Sequence, residues 1–504
     1  MRVEMRTQRS RTAGLTGAAL VTALALAGCT AGDGGASDEA GYVEPGPNGL
    51  DEPYPDPSLE DPTAPTRDGM TDAAQDAQST FALDIDTGSY SRFRDAVRQG
   101  SYVDPAEVRT EEFVNYFAQD YEAPERGLGV SIDATTLPFR PEHRLVRVGI
   151  ASAPVSSEER TDVDLTLVVD CSGSMSEAGK MATTQHALRT LVNALRPTDR
   201  VAMVCYSTEA DVVLEPTPVS ERAAVMSTID TLAPRDSTNA AAGLALGYDL
   251  ALSMRTEGRM NRVVLVSDGV ANVGETDPEG ILARISSEAQ AGTNLISVGV
   301  GITTYNDHLL EQLANQGDGW HVYLDSAAEA ERVFATGLTG SLVVTATDAR
   351  AQVEFDPAQV SSYRLLGYEN RALADEDFRN DAVDAGEVFA GHSTTALYEV
   401  ALREGRSDAP FVTATVRYLD ESGEAVERAA SLDRSRCADS PREASPRLRQ
   451  DLVVALLTDR LLGGPWARDV SAAELRAEAE ALPAALDWEP DVVELVDLVR
   501  AATA

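Results

Sequence analysis

The sequence has few cysteines, aromatic residues and positive charges, and almost no lysine. Four cysteines, Cys29, Cys171, Cys205 and Cys437, are spread over 504 residues. None is spaced as CxxC or as a zinc-ligand set, which excludes a dense disulfide scaffold and the common thiolate metal sites. Lys180 is the only lysine among 42 basic residues. Against 82 acidic residues the basic ones leave a net charge of −40. That balance argues against nucleic acid as a partner and against electrostatic docking on anionic lipid. It suits a protein that collects cations, or, more plainly, an acidic solubilising surface. Beyond the N-terminus no apolar run is long enough to span a bilayer. The five histidines, His143, His186, His308, His321 and His392, show no spacing that pairs them with a nucleophile.

What is present begins with a targeting segment. Arg2, Arg6, Arg9 and Arg11 form a basic region, "LTGAALVTALALAG" is a short apolar region, and the series ends at "LAGC" with Cys29. This order resembles the signal peptide and lipobox of bacterial lipoproteins. The resemblance implies removal of residues 1–28, a palmitate-type lipid on Cys29, and attachment to the extracytoplasmic face of the bacterial cell membrane. Residues 30–78 carry seven prolines and twelve acids against a single Arg67. With no apolar face to bury, 29–78 is expected to be a disordered acidic linker. Three cysteines remain after processing, an odd number. Cys171 and Cys205 both fall near the ends of predicted strands, and buried free thiols are favoured there over a bridge.

Order is expected from residue 79. "STFALDIDTGSYSRFRDAV" reads as a strand and then a helix, "DPAEVRTEEFVNYF" as a second helix, and "GVSIDATTLPF" and "HRLVRVGIAS" as strands, together an α+β region over 79–159. From 160 to 338 apolar strands alternate with helical patterns. "DLTLVVD", "RVAMVCYS", "ADVVLEP", "RVVLVSD", "NLISVGVG" and "WHVYLD" are the strands. This is the pattern of an α/β domain with a doubly wound parallel sheet. Over 339–440 the apolar period changes to 2. "FVTATVRYLD" places Val412, Ala414, Val416 and Tyr418 on one face, as in an antiparallel β-rich domain. Residues 441–504 read as helical, with a capping box at Ser471 and Glu474. Strands before and after the α/β domain are expected to share one sandwich into which that domain is inserted.

In an open parallel sheet, ligands bind beyond the carboxyl ends of the strands. "DCSGS" ends the first strand with Asp170, Ser172 and Ser174; "RDSTNAAAG" puts Thr238 in a loop before a helix; "LVSDG" ends the fourth strand with Asp268. All five side chains offer hard oxygen donors. Such a set selects Mg²⁺, with Mn²⁺ and Ca²⁺ as alternatives. Two carboxylates cancel one divalent charge, and neutral hydroxyls fill further positions.

The D-x-S-x-S turn, the Thr and the Asp, in this order, resemble the metal-ion-dependent adhesion site (MIDAS) of von Willebrand factor type A (VWA) domains. The resemblance implies that Asp170, Ser172, Ser174, Thr238 and Asp268 hold a metal whose shell is completed by an acidic residue of a partner protein. Alanines around Thr238, where relatives often carry glycine, and Cys171 inside the turn are departures that leave every ligand in place. "STFALDIDTGSYSRFRDAV", "VRTEEFVNYF" and "SYRLLGYENRALADEDFRNDAVDAGEVFAGHSTTALYEV" further resemble a bacterial VWA-containing lipoprotein family with a conserved N-terminal region and a C-terminal domain of unknown function. The expectation is a non-enzymatic envelope protein acting through protein–protein interaction.

Other readings are weaker. The metal could serve only to stabilise a structural envelope protein. "DTGS" at Asp86 to Ser89 imitates an aspartic-protease turn, but no second copy exists to share a proton. Cys171 sits on an elbow suited to a nucleophile, without a positioned base. The acids from Asp375 to Glu387 lack EF-hand spacing and read as a solvated loop. Asn306, Asp307 and Asp318 read as turn residues.

Overall fold

The computed structural model describes residues 69–504 apart from 178, 236, 270–277, 302–303, 338–339, 341, 369–370, 381–382, 384, 406, 421 and 504. Cys29, the signal peptide and most of the expected linker lie outside the described residues. Strands β1 (Thr71–Asp72) and β2 (Gln78–Ala82), helices α1 (Gly88–Gln99) and α2 (Thr110–Asn115), and strands β3 (Leu128–Leu137) and β4 (Arg140–Ser152) come first. The α/β region contains β5 (Val163–Asp170), α3 (Lys180–Ala194), β6 (Arg200–Tyr206), β7 (Ala210–Pro218), α4 (Arg222–Thr231), α5 (Ala240–Met254) and β8 (Met260–Ser267). It continues with α6 (Pro278–Gln290), β9 (Thr293–Val300), α7 (Thr304–Gln316), β10 (Trp320–Leu324) and α8 (Ala327–Glu331). Strands β11 (Val344–Phe355), β12 (Val360–Leu366), β13 (Ala372–Leu373), β14 (Gly386–Phe389), β15 (Ser393–Leu402), β16 (Pro410–Leu419) and β17 (Ala425–Asp433) follow. Helices α9 (Pro446–Leu461), α10 (Trp466–Asp469), α11 (Ala472–Glu480) and α12 (Pro490–Ala502) end the chain.

The central sheet has the order β10-β9-β8-β5-β6-β7. Residues alternate between its faces: Leu165, Leu167 and Val169 pack with Leu188, Leu191 and Val192 of α3, while Val168 packs with Leu244, Tyr248 and Ala251 of α5. Burial on both faces explains why these strands read as continuous apolar runs. Five strands are parallel, but β7 runs antiparallel to β6, a departure from the expected all-parallel sheet. Only residues 207–209 join the two, too few for a crossover helix.

Two antiparallel sheets form a sandwich, ordered β1-β12-β15-β4-β3 and β13-β2-β11-β16-β17. Both mix strands from before and after the α/β domain, which is therefore an insertion between β4 and β11. Their inner faces meet in one core, with Val146, Val148 and Tyr398 from one sheet against Phe81, Val353, Val412 and Val416 from the other. Residues 71–78, assigned to the linker by composition, belong to the fold. β1 pairs with Tyr363 and Ser362 of β12, Ala73 is buried, and Asp72 closes a turn by accepting from the Ala74 N–H at 2.9 Å. A composition average over an acidic stretch does not register so short a pairing.

Other local expectations resolve similarly. The Ser471–Glu474 capping box is formed. Asp318 is in a left-handed turn, φ +46°, whereas Asn306 and Asp307 fall within α7. The acidic loop after β13 holds an internal cation: the carbonyls of Asp377, Asn380 and Val383 accept from the buried Arg350 guanidinium at 2.8–2.9 Å.

The C-terminal helices are fastened to the sandwich through Glu399 of β15. This buried carboxylate accepts from Arg140 (2.7 Å), Arg364 (2.9 Å) and the Trp466 indole (2.8 Å), and pairs with His143 at 2.6 Å. Burial by itself would raise its pKa. The bonds to His143 and Arg140 and the charge of Arg364 more than offset that and lower it to about 2. A folded-state pKa below the ordinary carboxylate value means stability that is present at neutral pH and lost as pH falls through about 2. Glu399→Gln should cost roughly 3 kcal/mol at pH 7, because buried Arg364 then loses the charge of its 2.9 Å carboxylate partner. The difference from wild type should shrink as pH drops below about 4, as read by denaturant titrations across pH.

Candidate metal centre

The elbow after β5 is built on the sheet's central pairing. β5 lies between β6 and β8, with Val169 opposite Cys205 and Val266, so the chain beyond Asp170 emerges beside the ends of both neighbours. Ser172 and Ser174 flank Gly173, where a short 3-10 turn begins. Four of the five expected ligands form one hydrogen-bonded chain. The Ser172 N–H donates to Asp170 Oδ1 at 2.8 Å, the two serine hydroxyls lie 2.9 Å apart, and Ser174 Oγ donates to Asp268 Oδ1 at 2.9 Å. Asp170, Ser172 and Asp268 are all buried. Ser174 is exposed, so the cluster opens to solvent on its side.

Thr238 lies half-buried in the loop before α5. Among the described residues it makes no hydrogen bond to the other four. Its loop is nonetheless fixed to the elbow: the Arg235 N–H donates to the Cys171 carbonyl at 2.7 Å. Asn239 caps α5 by accepting from the Ala242 N–H at 3.0 Å. α5 approaches the sheet closely because it carries glycine on its inner side. A Cβ at Gly243 would lie 2.6 Å from the Tyr206 ring, and one at Gly247 2.3 Å from Val168 Cγ2.

Three further residues belong to the site. Tyr206 OH (3.1 Å) and Ser267 Oγ (2.9 Å) both donate to Asp170 Oδ2. Lys180 Nζ donates to Asp268 Oδ2 at 2.9 Å and pairs with Glu177 at 2.8 Å. Burial raises the Asp170 carboxyl above its ordinary range, and the charge of Asp268 pushes the same way, while hydrogen bonds from Ser172 and Ser267 oppose them. Burial disfavours the Lys180 ammonium, but its bonds to Glu177 and Asp268 outweigh this and raise its pKa. Faint sequence signals mark these residues: Ser267 precedes Asp268, Lys180 is the sole lysine, and Tyr206 ends a predicted strand.

The donors fit a hard divalent cation. The set is two carboxylates and three hydroxyls, all oxygen, from the elbow after β5, the end of β8 and the loop before α5, with an open side at Ser174. Among the described residues no group of three or more His, Cys, Asp or Glu is arranged to hold a metal, so an ion here depends on the hydroxyls as much as on the acids.

Cys171 and Cys205 form a disulfide, with Cα atoms 5.8 Å apart, against the expectation of free thiols. The lateral order of strands, which the chain's linear pattern does not specify, brings them together. A bridged sulfur carries no thiolate, which removes the nucleophile reading of Cys171. Asp86 accepts from the His321 N–H at 3.0 Å, in β10 at the edge of the sheet, three strands away from β5. It borders a cavity of about 210 Å³ together with Asp84, Asn315 and Arg371. That cavity is separate from the elbow.

Gly243→Ala tests how far the elbow depends on this packing. It should cost roughly 1–3 kcal/mol, since the added methyl meets a buried ring. Thermal unfolding reports the change, and a surface substitution such as Leu252→Ala on the same helix should leave it nearly unaltered.

Residues 164–335 match the family model of the von Willebrand factor type A domain, and residues 60–147 match a model described as von Willebrand factor. Residues 340–436 match the C-terminal region of the uncharacterized protein YfbK. The chain is 36% identical over 338 residues to Uncharacterized protein YfbK of Escherichia coli (strain K12), covering 65% of this chain and 59% of that protein. It is 26% identical over 244 residues to an uncharacterized Synechocystis protein, covering 46% and 57%. It thus spans less than three fifths of the length of each of these relatives. The solved structure of a von Willebrand factor type A protein from Catenulispora acidiphila aligns over 77% of this chain and 98% of its own, at 14% identity and a TM-score of 0.42. The chain carries a von Willebrand factor type A domain followed by a β-rich region similar to the C-terminal part of YfbK.

Proposed function

We propose that this protein is a lipid-anchored component of the bacterial cell envelope whose VWA domain binds Mg²⁺ at Asp170, Ser172, Ser174, Thr238 and Asp268 and captures an exposed carboxylate of a partner protein. The observation that carries this reading is the hydrogen-bonded chain from Asp170 through Ser172 and Ser174 to Asp268, which gathers hard oxygen donors into one cluster that opens to solvent at Ser174. When bound, the ion supplies a positive charge with a position for an incoming oxygen. The protein's own groups do the rest. Tyr206 and Ser267 hold the inner oxygen of Asp170, and the Ser172 N–H fixes the outer one, so the carboxylate is oriented before any ion arrives. Ser174 stands at the mouth, where a partner has access.

The alternative, an ion that only stabilises a structural envelope protein, is less well supported. The elbow's polar atoms already find partners within the protein, and the disulfide beside Asp170 fastens β5 to β6. Such a bridge also suits an oxidising compartment outside the cytoplasm. The lipid anchor rests on the "LAGC" series ending at Cys29. A net charge of −40 disfavours nucleic acid as the partner. Nothing in the elbow's chemistry calls for catalysis, and the reading is of a binding protein.

Mg²⁺ should raise wild-type stability by roughly 2.7 kcal/mol when free ion exceeds its dissociation constant about a hundredfold. Asp170→Ala and Asp268→Ala should abolish that increment and Mg²⁺-dependent partner capture while the domain still folds, since deleting either carboxylate also relieves repulsion between them. Calorimetric unfolding and a crosslinking pull-down, each with and without chelator, read both effects. Retention of both by Asp170→Ala would overturn the site. An ion that only stabilises the fold would shift unfolding and leave capture untouched.

The anchor is tested separately. Cys29→Ser should release the protein from the membrane fraction and remove the lipid mass from the mature N-terminus. Unchanged partition without a lipidated Cys29 peptide would reject it.

A further inference from the structure

Lys180 is the single lysine among 42 basic residues, and its ammonium lies on a carboxylate of the candidate metal centre. The Nζ atom donates to Asp268 Oδ2 at 2.9 Å and to Glu177 at 2.8 Å. Lys180 is the first residue of α3, where the helix dipole disfavours a cation, so its placement is sustained by those two acids. Its stem has a prepared path. Gly301, at φ +59°, sits against it, and a Cβ there would be 2.8 Å from Lys180 Cε. The two acids differ: the Asp268 side chain is 4% exposed and that of Glu177 68%. Asp268 belongs to the metal centre, and Glu177 stands outside it in solvent.

We propose that Lys180 is a tethered cation that competes with the divalent ion for Asp268, and that Glu177 receives its ammonium when the ion binds. This rests on the Mg²⁺ reading above and gives it a threshold. Two like carboxylates, Asp170 and Asp268, otherwise present a net charge of −2 to any cation. Lys180 offsets one of them, so the ion gains less than it would from the bare pair. An ammonium suits this role because it is a compact point charge on a flexible stem, whereas a guanidinium would chelate the carboxylate and leave reluctantly. With an exposed second acid within reach, the lysine can give up Asp268 and keep a charged partner. No part of this changes which residues hold the metal.

The experiment is isothermal titration of the full chain with MgCl₂ alone, beside thermal unfolding in chelator to confirm that each variant folds. Lys180→Met should tighten Mg²⁺ binding about tenfold, equivalent to about 1.4 kcal/mol. Lys180→Arg and Glu177→Gln should both weaken it several-fold. In the Lys180→Met background, Glu177→Gln should have much less effect, because the two substitutions act through one contact. A residue that merely supports the fold would give losses throughout and no gain. Wild-type binding of Mg²⁺ with equal or weaker binding by folded Lys180→Met overturns the role of Lys180 and leaves the metal centre standing. Should Lys180→Met not fold, unchanged affinity in Glu177→Gln, altered only on an exposed side chain, overturns it equally. Absence of Mg²⁺ binding to the wild type overturns the metal centre itself, and this inference with it.

Discussion

Two carboxylates at the ends of neighbouring parallel strands repel each other, and the architecture of the elbow answers that constraint. Asp170 and Asp268 are drawn together because β5 pairs with β8, residue against residue, from Val163–Met260 to Val169–Val266. Every group around them lowers the cost of that approach. Ser267 and Tyr206 donate to Asp170, Ser174 donates to Asp268, and Lys180 sets an opposite charge on its far oxygen. Buried carboxylates persist only with such partners. A divalent cation is the natural complement to what is left. The gathering of these oxygen donors at the elbow thus follows from the same pairing that builds the sheet.

The opposite end of the domain is held by a different electrostatic device. Arg160 and Asp199 form a buried bidentate pair at 2.5 and 3.0 Å, and the same carboxylate accepts from the Val163 N–H. Bidentate geometry both strengthens and orients such a pair. It clamps the point where the chain leaves the sandwich and enters β5. On the exit side, Arg94 of α1 reaches Asp325 (2.6 Å), Glu329 (2.8 Å) and Glu494 (3.2 Å). One guanidinium therefore joins the N-terminal region, the end of the α/β domain and the last helix. The inserted domain is fastened at both crossings, and the elbow lies at the carboxyl end of β5, opposite the Arg160–Asp199 pair at its start.

These fastenings account for the C-terminal helices as well. Their apolar faces share one core with α1 and α2, in which Tyr90, Phe93, Phe113 and Phe117 pack with Leu452, Leu456, Leu495 and Val499. Aromatic residues are scarce in the chain, yet several gather here: Tyr90 lies within about 4–6 Å of Phe93, Phe113, Tyr116 and Phe117, ring centre to ring centre. Neither the N-terminal helices nor the C-terminal ones could bury these faces alone.

The sequence by itself determined the local features. Apolar runs ending in Asp170 and Asp268, hydroxyls one residue apart at Ser172 and Ser174, and a change of period after 340 are written in contiguous residues. They suffice for the element types, the α/β alternation and the oxygen donors at the strand ends, because strand and helix periodicities and turn chemistry act over a few positions. The tertiary structure alone decided whatever depends on lateral order. Lys180 meets Asp268 across 88 positions, Cys171 meets Cys205 across 34, and Arg350 fills an acidic loop 27 to 33 residues away. Residues 71–72 join a sheet whose partner strand lies nearly 300 residues later. Which strand lies beside which is set by packing of the whole, and no local pattern of side chains encodes it.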